Sequence, residues 1–211
     1  MRRPVVTTNR YEKVRTVSDQ VMMEVRRGGK RLKARSYLSE LVDLAWHTGR
    51  RVQAILKLRY QDLRLGKTKT APFGAVEWPG ETDKEGRAWY APLHGDARRA
   101  IDRVLAERPG IGGAFLFPRP NDTSRPIRYE LASDWLMEAE RRASVPKHDG
   151  SLWHAYRRGW VTSRKRWPLK DRARAGGWAS TETLARCYEQ DDDETTLRVV
   201  SEPAELREIE A

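Results

Sequence analysis

The chain has 211 residues, of which 38% are hydrophobic and 34% carry a charge. It is long enough for one full domain with a very polar surface around its core. No apolar run approaches the roughly 20 residues that a membrane span needs, and the N-terminal "MRRPVVTTNRYEK" lacks the apolar centre of a signal peptide. A single cysteine excludes a disulfide framework and a cysteine-based structural zinc site. These features are typical of a soluble intracellular protein with no membrane partner.

Positive charge dominates, because Lys and Arg total 41 against 30 acidic residues and give a formal net charge of +11. Such an excess favours a polyanionic partner, since each neutralised phosphate releases condensed counterions. The cations are spread along the chain rather than gathered in a tail. This suits a folded surface against double-stranded DNA better than a disordered basic arm. The open alternative is a soluble basic protein with no such partner.

The first part of the chain is predicted to be helical. Residues 10–26 place apolar side chains at spacings of three and four, which indicates an amphipathic helix. The two glycines of "RRGGKR" end it. A second helix has the apolar stripe Tyr37, Leu38, Leu41, Val42 and Ala45. Gly49 is its predicted stop, and a third segment, "RRVQAILKLRY", begins directly afterwards.

The middle of the chain changes character. Short β-prone runs at 75–78 and 88–91 flank "DKEG", which is typical of a hairpin turn, so a small antiparallel sheet is expected here. Helical periodicity returns in "GDARRAIDRVLAERPG", with Asp96 as the candidate N-cap and "RPG" as the stop. The stretch "FLFPRPNDTSRPI" is predicted to be a proline-rich loop.

The last part is predicted to be helical again. Three or four helices are expected through 130–143, 151–166, 170–176 and 181–189, followed by an amphipathic helix from about 193 to 209. The predicted fold class is therefore mainly α with a small antiparallel β-sheet or hairpin, an α+β arrangement.

A chain that cuts DNA needs concentrated positive charge, because the transition state of phosphodiester cleavage gathers negative charge on oxygen. Metals are a poor source here. The four histidines (His47, His94, His148 and His154) share no short metal-binding spacing with acidic residues. The run Asp191–Asp193 is consecutive and cannot converge on one ion from a helix; it is expected to be a solvated surface. Arginines remain, and neither a metal nor a cofactor is predicted.

Three segments supply those arginines together with candidate partners. "HTGRRVQAILKLRYQDL" begins a helix with paired arginines after a Thr-Gly turn. "LWHAYRRGWVT" places His154 and Arg157 three residues apart, on one side of a helix. "GGWASTETLARCYEQ" contains Trp178 and, ten residues later, Tyr188.

In this order and at these distances the three segments resemble the catalytic domain of the tyrosine recombinases, the phage integrase family. The resemblance covers roughly residues 35 to 200. Its T-G-x-R motif falls on "TGRR", which implies Arg51 rather than Arg50 as the first catalytic arginine. Its H-x-x-R motif falls on His154 and Arg157. The candidate site residues that the resemblance implies are Arg51, Lys84, His154, Arg157, Trp178 and Tyr188.

The resemblance also implies the role of each residue. Arg51 and Arg157 clamp the scissile phosphate, and Tyr188 attacks phosphorus to leave a 3′-phosphotyrosyl bond without metal or ATP. Lys84, on a mobile hairpin that enters the minor groove, protonates the departing 5′-oxygen. His154 assists proton transfer or hydrogen-bonds the phosphate. Trp178 stands where histidine is common and can only donate through its indole N–H.

Three positions need separate comment. The family usually has an acidic residue three after the first arginine, where this chain has Ala54, so something else must orient Arg51 or activity falls. His148 is not the histidine of the H-x-x-R motif, because Ser151 rather than an arginine follows three residues later. Cys187 points about 100° away from Tyr188 around a helix, so both cannot meet one phosphate, and Cys187 is expected to be a small buried residue.

The predicted organisation is a linker and first helix (1–30), a catalytic domain (31–190) and a C-terminal tail helix (191–211). Two arrangements of the tail stay open: packing on its own domain, or docking in trans on a neighbouring protomer within a homotetramer on DNA, which is what the resemblance implies. The family normally carries an N-terminal clamp domain, so we expect either its removal or a short natural variant. A cytoplasmic, nucleoid-associated protein of bacterial or phage origin is expected. The alternatives are a type IB topoisomerase-like enzyme and a non-catalytic DNA-binding protein on a degenerate recombinase fold.

Overall fold

The computed structural model describes residues 3–82, 86, 88–148, 152–189, 196–197 and 200–201. The described helices are α1 (Thr8–Ser18), α2 (Leu38–Thr48), α3 (Val52–Leu56), α4 (Gly95–Glu107), α5 (Tyr129–Arg142), α6 (Leu152–Thr162), α7 (Leu169–Gly176) and α8 (Thr181–Cys187). The described strands are β1 (Met22–Arg27), β2 (Lys30–Arg35), β3 (Leu63–Arg64), β4 (Ala75–Trp78), β5 (Trp89–Pro92), β6 (Pro118–Arg119) and β7 (Asp122–Pro126). The predicted fold class is confirmed: helices dominate, and the strands form small antiparallel sheets.

The helix predicted over 10–26 is wrong in its second half. α1 ends at Ser18, and residues 22–27 form β1, which pairs with β2 as an antiparallel hairpin. Burial alternates from Val21 to Glu24, the period of a strand rather than a helix. Gly28 and Gly29 both have positive φ, as a two-residue turn between strands requires. The predicted boundary at residue 30 falls inside this hairpin.

Helix α2 lies at the centre of the main core. Residues 38 to 46 of this helix are buried on every side, as expected for a helix packed against α1, α4, α5 and α6. Two of its buried residues are acidic, and both are paired. Glu40 contacts Arg35 and Arg103, and Asp43 contacts Arg15 and Arg103.

The sheet predicted in the middle of the chain is confirmed. β3, β4 and β5 form a three-stranded antiparallel sheet in which Trp78 pairs with Trp89. Most of the predicted "DKEG" turn lies outside the described residues. The proline-rich stretch predicted as a loop instead contains β6 and β7, which pair with each other in a two-stranded antiparallel sheet. Prolines are compatible with such edge strands, because no ladder hydrogen bond is needed from their nitrogen.

The C-terminal helices lie where the sequence predicts them, although α6 ends at Thr162 rather than 166. The cap of α4 was assigned wrongly. His94 is the N-cap, and its Nδ1 accepts a hydrogen bond from the backbone N–H of Asp96. Most of the predicted tail helix from 193 to 209 lies outside the described residues.

A second, smaller apolar cluster lies beside the main core. It joins the end of α6 to α7 and α8 and consists of Trp160, Val161, Ala173, Trp178, Leu184 and Tyr188. Two of the candidate site residues are therefore parts of one packed unit. None of the described helices is both long enough and apolar enough to span a membrane.

Candidate active site

The turn that follows α2 positions the first arginines. Gly49 ends the helix with φ 64°, a left-handed conformation that glycine adopts without strain. Thr48 Oγ1 accepts a hydrogen bond from the backbone N–H of Arg50 at 3.2 Å. Arg51 then adopts an extended backbone and serves as the N-cap of α3. The sharp Thr-Gly turn therefore sends Arg50 and Arg51 away from the buried axis of α2.

Three of the predicted site residues line one cleft of about 220 Å³. Arg51 comes from the start of α3, and His154 and Arg157 come from one face of α6. Tyr129, at the start of α5, also lines this cleft. The three-residue spacing in α6 thus places His154 and Arg157 together, as the sequence predicts.

The electrostatics of the cleft favour neutral His154. Partial burial lowers the pKa of His154 below its usual value, and the positive charges of Arg158, Arg157 and Arg51 lower it further. At neutral pH the imidazole can therefore both donate and accept a hydrogen bond.

Arg157 is the most constrained of the candidate groups that the structure describes. Its side chain is 2% exposed, and Nη1 donates to the carbonyl oxygens of Gly49 and, at 3.1 Å, Gly176. Its Cζ lies 3.3 Å from the centroid of the Trp178 ring and 5.1 Å from that of Tyr188. Burial lowers the pKa of Arg157 to about 9, while the neighbouring Tyr188 acts in the opposite direction. The guanidinium therefore stays charged at neutral pH, and its Nε has no partner among the described residues.

Trp178 and Tyr188 complete this group. The backbone N–H of Trp178 donates to the Ala173 carbonyl at 2.8 Å, just after the left-handed turn at Gly177. The Trp178 ring stacks on Trp160 with centroids 5.8 Å apart and meets Tyr188 edge-on at 5.1 Å. The indole N–H of Trp178 is buried and has no partner within the described part of the chain.

Tyr188 is the first residue after α8 and is 8% exposed. Its backbone N–H donates to the Leu184 carbonyl at 3.0 Å. The neighbouring Cys187 is half-buried and packs on the smaller apolar cluster. The end of α8 therefore places the Tyr188 ring beside the guanidinium of Arg157.

Lys84 and Asp191–Asp193 lie outside the described residues. Arg50, the variable residue of the T-G-x-R pattern, is 7% exposed and packs against Trp78, Trp89 and Gly177. The sequence does show a second arginine directly before Arg51, which could have identified Arg50 as a further candidate residue. Its burial was not predictable, because it depends on residues far along the chain.

One cluster of possible metal ligands was missed. His47, His94 and Asp96 bring one ligand atom each within 4.8 Å of one another, although His94 and Asp96 are only two residues apart in sequence. The two imidazole rings are stacked at 4.4 Å with an interplanar angle of 1°. The lone pair of an imidazole nitrogen lies in the ring plane, so one ion cannot lie in both planes. This arrangement is not a preformed metal site.

No protein-family profile and no curated protein sequence matches the chain. Solved structures do. XerA recombinase is similar with a TM-score of 0.71 and 14% identity, over 97% of this chain and 68% of that one. XerH site-specific recombinase in a post-cleavage complex with the palindromic difH substrate gives 0.68 and 16%, over 94% and 52%. A lambda integrase (75–356) dimer bound to a COC′ core site gives 0.62 and 20%, over 92% and 61%.

The chain spans between about half and two thirds of the length of these recombinases. Nearly all of the chain is matched in each case, and the matched identities lie between 14% and 20%. Likeness at this level of identity establishes the fold. The chain has the fold of the tyrosine recombinase catalytic domain.

Proposed function

We propose that the chain is the catalytic domain of a site-specific recombinase, an integrase that cleaves and rejoins DNA strands through Tyr188. One observation carries the proposal: Arg157 joins the cleft that holds Arg51 and His154 to the contact group of Trp178 and Tyr188. These residues come from three separated segments. Structural packing alone does not require two arginines and a histidine to line one open cleft, nor a tyrosine to lie against one of those arginines.

The proposed reaction starts from the charge of the scissile phosphate. Arg51 and Arg157 bind its non-bridging oxygens and offset the negative charge that develops on them in the transition state. Arg157 is held in place by two carbonyl oxygens, so little reorganisation accompanies the reaction. Removal of such a preorganised donor typically costs a factor of about 100 to 1,000 in rate.

Tyr188 is the proposed nucleophile. Its hydroxyl oxygen forms a bond to phosphorus while the bond from phosphorus to the 5′-oxygen breaks. The phenol proton passes to a base, for which neutral His154 is the candidate, and the departing 5′-oxygen takes a proton from Lys84. The product is a 3′-phosphotyrosyl bond and a free 5′-hydroxyl. Attack by a 5′-hydroxyl of another strand reverses these steps without ATP.

Double-stranded DNA is the proposed partner, and a homotetramer on DNA is the proposed assembly. The net charge of +11 supports the first part. The DNA-bound states of the similar recombinases support it as well. The tetramer is supported by a further similar structure, a lambda integrase tetramer bound to a Holliday junction, with a TM-score of 0.60 and 20% identity over 90% of this chain and 49% of that one.

The proposal predicts a covalent protein–DNA adduct that depends on one hydroxyl. A pool of nicked duplexes with randomised flanks traps the cleaved state, because the short 5′-hydroxyl fragment diffuses away. We expect wild type to give an adduct that survives denaturing electrophoresis, and Tyr188→Phe to give none. Sequencing of the trapped DNA identifies the site.

Tyr90→Phe is the matched control, since Tyr90 carries an exposed phenol on β5. It should form the adduct as wild type does. Absence of any wild-type adduct across the pool, or an adduct with Tyr188→Phe, would overturn the proposed function.

A further inference from the structure

We propose that Arg50 is a positioning residue that anchors the β4–β5 hairpin, whose connecting segment contains Lys84, against the turn that carries Trp178. The inference rests on the proposed function and deepens it. It gives a role to the arginine that the T-G-x-R pattern leaves without one.

The first contact of Arg50 is with the end of the hairpin. Its Cζ lies 4.9 Å from the ring centroid of Trp78 and 5.8 Å from that of Trp89. Trp78 and Trp89 form the last registered pair of β4 and β5. The guanidinium therefore packs on the two indoles from which the chain leads into the segment that contains Lys84.

The second contact is with the turn after α7. A Cβ at Gly177 would overlap Nη1 and the rest of the Arg50 guanidinium, so the guanidinium lies directly against the Gly177 main chain. Gly177 also has φ 67°, which a side chain would strain. Its neighbours belong to the candidate site, since the Gly176 carbonyl accepts a hydrogen bond from Arg157 and Trp178 packs on Tyr188.

The third connection is the chain itself, because Arg50 directly precedes Arg51. One buried side chain thus touches the hairpin and the Gly177 turn while its backbone leads into the proposed phosphate-binding arginine. A planar guanidinium suits this position, since its face stacks on indoles and its charge interacts with their π-systems. Lysine keeps the charge and loses the flat stacking surface, and methionine keeps most of the bulk and loses the charge.

The test separates placement of the general acid from every other effect. The scissile site identified with the randomised pool is synthesised in two forms, one with the natural bridging 5′-oxygen and one with sulfur in its place. A thiolate leaves without protonation, because thiols are far stronger acids than alcohols. The sulfur substrate therefore does not need Lys84.

We expect Arg50→Met to slow adduct formation on the oxygen substrate roughly 100-fold, the scale of a misplaced catalytic group. On the sulfur substrate the same variant should react within about threefold of wild type, because general acid catalysis is no longer required. Arg50→Lys should show the same selective loss to a smaller degree, and it keeps the test open if the methionine variant does not fold.

Two further variants calibrate the readout. Lys84→Ala should be rescued by sulfur in the same way, whereas Arg157→Lys should be slow on both substrates, since both carry the phosphate charge. Equal slowing of both substrates by Arg50→Met and Arg50→Lys, or wild-type rates on oxygen, would overturn the positioning role. Failure of wild type on both substrates would instead overturn the proposed function.

Discussion

Arg51 has no acidic brace three residues later, because that position is Ala54, which is buried in the main core. No ion pair joins Arg51 to a carboxylate in the described part of the chain. Its backbone is nevertheless held, since the Arg51 carbonyl accepts hydrogen bonds from Ala54 at 2.9 Å and Ile55 at 3.2 Å. The start of α3 therefore fixes the main chain of Arg51 and leaves its guanidinium available to the cleft.

His47 makes the stability of the protein depend on pH. It lies at the end of α2 beside Tyr11 and His94, and burial and the His94 ring lower its pKa from 6.5 to about 4. The nearby carboxylates of Asp96 and Asp43 act in the opposite direction, and the charge of Arg164 lowers the pKa further. Between pH 4 and pH 6.5, His47 is protonated in the unfolded chain and neutral in the folded one, so the unfolded chain binds more protons. The contribution of neutral His47 to the free energy of unfolding is therefore fully present above pH 6.5 and falls as the pH drops towards 4.

A shift from 6.5 to about 4 corresponds to about 3 kcal/mol of unfolding free energy. We expect the unfolding free energy of wild type, measured with urea, to decline between pH 6.5 and 4, and His47→Gln to reduce this decline by about 3 kcal/mol. Part of the remaining decline comes from His154, whose pKa is lowered in the same direction. His94→Gln, which changes the more exposed member of the stack, should keep most of the decline. Equal pH slopes for wild type and His47→Gln would contradict the assignment.

Some contacts between single residues were predictable and others were not. The pair His154 and Arg157 follows from helical spacing alone, so the sequence predicts their common face. The stack of His47 on His94 joins the end of one helix to the start of another, which no local pattern encodes. The burial of Arg50 depends on Trp78, Trp89 and Gly177 in the same way.

At the scale of elements, the N-terminal segment is fastened to α6. The backbone N–H of Val6 donates to the Ala155 carbonyl at 3.0 Å, and Arg158 Nε donates to the Pro4 carbonyl at 2.6 Å. Gly159 allows this approach, because a Cβ there would overlap the Val6 carbonyl and lie 3.1 Å from the Trp46 ring. The helix that carries His154 and Arg157 is thus packed on a segment from the other end of the chain.

Gly159→Ala should therefore destabilise the protein. Alanine favours a helix by up to about 1 kcal/mol over glycine, but overpacking against a fixed carbonyl costs about 1–3 kcal/mol. We expect a net loss of about 1–2 kcal/mol in the unfolding free energy measured with urea. Gly66→Ala is the control, because its Cβ would enter open space, and it should stay within about 0.5 kcal/mol of wild type. A Gly159→Ala variant as stable as this control would show that Val6 moves away freely.

The elements differ in how far local pattern determines them. The stop of α2 at Gly49 and the strands β4 and β5 were predicted, because turn residues and periodicity agree there. The β1–β2 hairpin was missed, since Val17, Val21 and Val25 also fit helical spacing. Its signal was the Gly28-Gly29 pair, which is typical of a two-residue hairpin turn and here outweighs the helical spacing.

At the scale of the whole molecule, part of the positive charge is used internally. Arg15, Arg35 and Arg103 pair with the buried carboxylates of Glu40 and Asp43.

The fold of the whole molecule was predictable from three short motifs, although identity to the similar recombinases is only 14–20%. The motifs carry the geometry of the cleft, whereas the rest of the sequence only has to fill a core of the same shape.

The β1–β2 hairpin presents exposed cations that have few acidic partners. Arg26, Arg27, Lys30 and Arg31 are all exposed, and Arg31 meets Glu24 only at 4.0 Å. The base of the hairpin shares a surface depression with Arg128, whose neighbour Tyr129 lines the candidate cleft. We therefore expect DNA that occupies the cleft to pass beside this hairpin.

Binding to a duplex should weaken steeply with salt, with a slope of about −0.9 in log K against log salt for each phosphate contacted. Replacing Lys30 and Arg31 by glutamine should make this slope shallower by roughly one to two and weaken binding at low salt. Arg141→Gln is the matched control, because Glu138 on the same helix already compensates that exposed arginine, and it should leave the slope unchanged. Fluorescence anisotropy across a salt series measures all three proteins. Identical slopes for wild type and the hairpin variant would place the DNA path away from β1 and β2, even if the covalent adduct still forms.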